Sequence, residues 1–207
     1  MGQIKETKNI LESVRSTEAA SSDVINLFDE EGCTGFSVQI VYDVLTFSAA
    51  VCASATNVFD KTAETFANCF KKTAHGFVGG LKVQVATSTT LPTGISAVTD
   101  YYIIVVDADH VQLASSQANA FLGTAIELDD AGTGNQTVTA VALAGASVTF
   151  QCSNDGSNFA NIQSATSITS DGSTMLSVAP VTYKYLKVVK AITAGAVDVE
   201  AHLVEIQ

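Results

Sequence analysis

Beyond residue 36, hydrophobic and polar positions alternate with a period of two along most of the chain. That is the spacing of strands with one face on a core. The clearest case is AGAVDVEAHLVEIQ, where Val197, Val199, Ala201 and Leu203 alternate with Asp198, Glu200 and His202. TYKYLKVVKAI sets Tyr183, Tyr185 and Lys187 on one face and Leu186 and Val188 on the other. FSVQIVYDVLTFSAAV is rich in β-branched and aromatic residues, and GGLKVQVATS places Leu81, Val83 and Val85 on one side. LPTGIS, SNDGSN and DGS supply turn chemistry between such runs, at the interval expected of a sandwich or barrel. NVFDKTAETFANCFKKTAHGF reads as two short strands turning at Lys61–Glu64, and GTAIELDD as a short strand ending in an acidic turn.

The first 31 residues differ. Ile4, Ile10, Leu11 and Val14, then Val24, Ile25, Leu27 and Phe28, carry a loose helical spacing. This predicts one or two short helices, the second capped by Asp23 and stopped at Gly32, or an arm that orders against a neighbour.

Composition narrows the functional classes. Of 207 residues, 47 % are apolar and only 15 % charged, which favours a packed fold with a surface of small polar residues. The net charge of −11 repels phosphate, so neither nucleic acid nor an anionic membrane is an expected partner. The start, MGQIKETKNILESVRS, lacks the apolar core of a secretory signal, and no run approaches a membrane span. Synthesis and folding in a cytoplasm are therefore expected. Cys33, Cys52, Cys69 and Cys152 are spaced too irregularly for a zinc ribbon or a redox pair. Buried thiols are the expectation, with Cys52 and Cys152 the first pair to test for a bridge.

The stretch TDYYIIVVDADHVQLASS, residues 99–116, carries the densest candidate chemistry. Asp107 and Asp109 stand beside His110, and Asp129 and Asp130 supply further oxygens if the two acidic turns meet. These four aspartates are the candidate metal ligands. The calcium-loop pattern is absent, since Val111 and Gln112 follow where it needs an acid or amide and a glycine. The competing reading is strand, turn and strand: Tyr101 to Val106, Asp107 to Asp109, His110 to Ala114. Asp is at home in such turns, so the hairpin is preferred. His75-Gly76 likewise reads as a turn, and GGLKVQ and AGTGNQ open no helix that would cradle a phosphate. No catalytic constellation emerges, so the expectation is a protein without enzymatic activity or cofactor.

Two segments carry a family resemblance. His75-Gly76, Leu91-Pro92 with Gly94-Ile95-Ser96, Thr99 to Val106 and Gly123-Thr124-Ala125-Ile126 together resemble a small β module of tailed-bacteriophage virion proteins. That run covers about a third of the chain. FSVQIVYDVL, followed much later by SNDGSNFANI, YKYLKVV and GAVDVEAHL, resembles a phage β-sandwich in which Phe159 replaces a customary Trp. The resemblance implies a mainly β protein: a β-sandwich from 33–55 plus 144–207, an inserted small β-barrel-like domain at 56–143, and a short helical or extended N-terminal arm at 1–32. It further implies a structural virion component, either a capsid decoration or auxiliary protein or a neck or tail part. Its partners would be other virion proteins, with many copies or a homo-oligomer per particle. Ile4, Ile10, Leu11 and Val14 of the arm would be the docking residues. The alternative is a receptor- or glycan-binding tail module, for which Tyr101, Tyr102, Tyr183 and Tyr185 are the aromatic candidates.

Overall fold

The computed structural model describes residues 4–12, 15–27, 34–53 and 68–206. The protein is mainly β, built from antiparallel sheets. The chain divides into two compact units: Met1–Leu45 with Leu143–Gln207, and Thr46–Ala142.

The first unit is a two-sheet sandwich. One sheet contains β1 (Ile4–Glu12), β4 (Gly35–Val44), β14 (Gly172–Val178) and β16 (Val197–Ile206), in the order β1-β16-β4-β14. The other is built on β11 (Ser147–Ser153) and β15 (Tyr185–Ala191). Four two-residue strands flank that pair: β2 (Ala20–Ser21) and β3 (Ile25–Asn26) on β15, β12 (Ala160–Asn161) and β13 (Thr166–Ser167) on β11. The alternation seen in the sequence decides which faces meet. Val197, Val199, Ala201 and Leu203 of β16 join Phe36, Val38 and Ile40 of β4 against Val148 and Phe150 of β11 and Leu186 and Val188 of β15. All of these are essentially inaccessible to water, and each large side chain contributes roughly 1.5–3 kcal/mol by leaving it.

The second unit is a six-stranded sheet. It contains β5 (Ala50–Ala53), β6 (Phe70–Lys71), β7 (Lys82–Thr87), β8 (Tyr101–Val105), β9 (His110–Ala114) and β10 (Asn135–Ala140), in the order β5-β10-β7-β8-β9-β6. Leu81, Val83 and Val85 turn inward, as do Tyr101 and Ile103 of β8 and Val111 and Leu113 of β9.

Three expectations are corrected. The helical reading of the N-terminal segment fails over 4–12, which form strand β1 on the outer edge of β16. A lone short helix is marginal in water, whereas the edge of β16 offers a backbone ladder. The pairing slips between Ile4 and Thr7 and between Asn9 and Leu11, and those irregularities hid the period of two. Secondly, FSVQIVYDVLTFSAAV is not one region: β4 belongs to the sandwich, while Ala50–Ala53 pairs with β10 in the second unit. Thirdly, Gly123–Ile126 is not a strand. It follows a helix, α1 (Gln117–Leu122), which starts where the Ser116 side chain accepts the Asn119 N–H and stops where the Gly123 N–H returns to Ala120 and Asn119. The two strands expected around Lys61–Glu64 lie largely outside the described residues, which take in 68–77 of that stretch, with β6 as its strand.

Candidate functional site

The acidic knot is the tip of the β8–β9 hairpin. Pairing runs from Tyr102 opposite Ala114 to Val105 opposite Val111, and residues 106–109 make the connection. The Asp107 carboxylate folds back over that connection. Its Oδ1 accepts the backbone N–H groups of Asp109 and His110, each at 2.8 Å, and the His110 ring Nδ1 lies 2.9 and 3.0 Å from its two oxygens. These donors, the Asp109 N–H foremost, hold its carboxyl below the usual carboxylate range.

A second segment grips the tip. Lys72 N–H donates to Asp109 O, His75 N–H to Ala108 O, and Ala74 N–H to the Asp109 side chain at 2.9 Å. The buried His75 ring closes the arrangement. Its Nδ1 accepts the Phe77 N–H at 2.9 Å, which makes Nε2 the protonated nitrogen, and Nε2 donates to Asp107 O at 2.9 Å. A carboxylate beside an imidazole is half of an acid–base couple. Here both rings and both carboxylates are engaged with the backbone or side chains of the two loops they join.

Asp130 does the same for the turn before β10. It accepts the Thr93 N–H at 3.3 Å, the Gly132 N–H at 2.7 Å and the Thr93 hydroxyl. The Thr93 hydroxyl, then the Gly132 N–H, lowers its pKa. Asp129 is exposed, with its N–H on Thr93 O. Among the described residues no group of three or more His, Cys, Asp or Glu side chains is arranged to hold a metal ion, so Asp107 and Asp109 are not gathered with Asp129 and Asp130 into a ligand set.

The SNDGSN tip between β11 and β12 is built from one carboxylate. Asp155 Oδ1 accepts the Ser157 and Asn158 N–H groups and the Ser153 hydroxyl, all at 2.8 Å, and Oδ2 accepts the Asn158 side-chain amide at 2.7 Å. The Asn158 N–H leads in pulling its carboxyl far below the usual range. Because the folded pKa lies below the unfolded value of about 3.9, this carboxylate stabilises the fold above that pH, and the effect fades as pH falls further. Asp155→Asn is therefore expected to lower the urea midpoint at pH 7. The gap to the wild type should narrow steadily between pH 4 and pH 2. A gap that stays constant with pH would mean that the charge plays no part.

The docking residues assigned to the arm fare differently from one another. Leu11 is 5 % exposed in the sandwich core and Ile10 packs partly buried against it, so Leu11 faces its own fold. Ile4 pairs with Ile206 at the end of β1, and Val14 lies outside the described residues. Of the tyrosines, Tyr101 is buried with its hydroxyl accepting the Ser96 N–H at 2.7 Å, and Tyr183 packs against the sandwich core. Tyr102 and Tyr185 are half-buried with the Lys82 and Lys184 ammonium groups 5.8 and 5.2 Å from their rings.

Cys52, Cys69 and Cys152 are buried and carry no disulfide, while Cys33 lies outside the described residues. Cys52 and Cys152, the first pair to test for a bridge, form none. Burial pushes the Cys52 and Cys69 thiols up to about 11 and Cys152 up to about 12, so none supplies a thiolate nucleophile near neutral pH.

One residue was missed from the sequence. Lys190 of β15 is fully buried and donates to three backbone carbonyls: Val197 at 2.7 Å, Ser16 at 3.0 Å and Arg15 at 3.1 Å. Parity was the available signal, since Lys190 follows Leu186 and Val188 on the inward face. Its ammonium ties the segment between β1 and β2 to the start of β16. Among the described residues no helix is long and apolar enough to cross a membrane. Compared with known proteins, the chain matches no family model, no curated protein and no solved structure.

Proposed function

We propose that the chain is a non-enzymatic structural component of a tailed-bacteriophage virion. It binds neighbouring virion proteins as a capsid decoration or auxiliary protein, or as a neck or tail part. The observation that carries this reading is the use of its reactive side chains. His75, Asp107, Asp130 and Asp155 direct their polar atoms at the chain's own loops, and the product of that bonding is a fixed surface shape. The motifs resembling phage virion modules supply the particle. The charge-poor sequence suits a subunit packed among others, and its negative charge favours protein neighbours over the packaged nucleic acid.

The test is the particle itself. Phage virions purified from cells producing this chain should contain it at many copies, and reconstruction should place it on one symmetric lattice. Virions that lack the chain altogether would sink the reading.

A further inference from the structure

The sandwich has four sheet edges, and among the described residues three are blunted in ways that discourage pairing with another chain. Both edges of the β11–β15 sheet are broken into two-residue strands. Edge β1 is interrupted by two register irregularities. The fourth edge, β14, has none of these devices. GSTMLSV is uncharged, and it pairs with β4 in unbroken register from Gly172 opposite Tyr42 to Val178 opposite Phe36. Among the described residues its outer side has no strand neighbour, and Met175 is 65 % exposed at its centre.

We propose that β14 is a self-association site. Two copies pair antiparallel along this strand about a two-fold axis at Met175, joining two four-stranded sheets into one. The occupant follows from charge and register. Two copies of a chain with net charge −11 repel, and β14 is an uncharged strip along which they meet with no like charges opposed. The two-fold sets Met175 against its equivalent and Ser173 against Ser177. It sets Leu176, which is buried, against Thr174, so each face of the sheet continues across the axis. No like charges meet within the paired strands, and the two exposed methionines cover each other.

This inference is independent of the virion reading, because the purified full chain alone tests it. Sedimentation velocity at micromolar concentration should show a dimer or a larger assembly built from dimers. Met175→Lys, which faces two ammonium groups across the axis, should weaken association by roughly tenfold or more, and Met175→Leu should not. Under mild oxidation, Met175→Cys should form a covalent dimer. Ser173→Cys alone should not, but mixed with Ser177→Cys it should. A monomeric wild type overturns the proposal, and that result leaves the edge to a strand from another protein. An assembly indifferent to Met175→Lys, or crosslinks out of this register, overturns it equally.

Discussion

Replacing Lys190 by alanine is expected to destabilise the sandwich by about 3–5 kcal/mol, read as a fall in the urea midpoint with unchanged slope. The loss has two parts. The buried four-carbon stem leaves a cavity between the sheets, and the carbonyls of Arg15, Ser16 and Val197 lose a charged donor. Those carbonyls are not all stranded, since Arg15 O also accepts the Glu18 N–H and Ser16 O the Val197 N–H. Lys190→Met fills the cavity and should therefore cost less than alanine, isolating the contribution of the ammonium.

The same residue sets a pH dependence of unusual sign. Burial pushes the Lys190 ammonium down to about 8, with Asp198 and Glu18 opposing it. The folded value lies below the unfolded one, near 10.4, so the unfolded chain binds the extra proton between them. This group's contribution to stability thus rises with pH through that window, by at most about 3 kcal/mol. The three carbonyls favour the charged form and reduce that ceiling. Cys152 works in the other direction: its stabilisation is complete below the unfolded thiol value and is lost as pH rises toward about 12. Subtracting the Lys190→Met curve removes the thiol contribution, because both proteins retain Cys152. The wild type should gain on the methionine variant between pH 8 and 10. A flat difference would mean that the amine stays charged throughout.

How much of this was legible depends on whether a pattern is local. The faces of β15 and β16 could be read directly, because a half-buried strand writes its burial into alternate residues. Lys190 was written there too, in phase with Leu186 and Val188, but a lysine is ordinarily assigned to water. β1 was misread because its irregular pairing breaks the period, and α1 because six residues make too short a helix to show one. The Asp107 turn was recognisable as a turn from its composition. Its grip by His75 and Ala74 was not, because those residues lie more than thirty positions away and meet it only through the pairing of β6 with β9. The uncharged character of GSTMLSV was visible throughout, but only the strand order makes it an edge.

Gly132→Ala should be the second large loss, about 2–4 kcal/mol. Gly132 has φ +60°, a conformation that costs an alanine about 1 kcal/mol or slightly more. Its surroundings add the rest. A methyl group there would lie 2.5 Å from Thr90 O, 2.8 Å from Pro92 N and 2.9 Å from Leu91 C, and all three are backbone atoms. Backbone cannot rotate aside as a side chain does, and the neighbouring chain is held by reciprocal hydrogen bonds between Thr90 and Thr133 at 3.0 and 3.3 Å. Relieving the clash therefore means opening that bridge or releasing the Gly132 N–H from Asp130. Gly76→Ala is the matched control, because Gly76 has a similar φ of +69° but nothing within 4 Å of the added methyl. It should show the conformational part alone, about 1 kcal/mol. Urea unfolding of the two variants side by side separates strain from collision, and equal losses would show that the contact with residues 90–92 relaxes without cost.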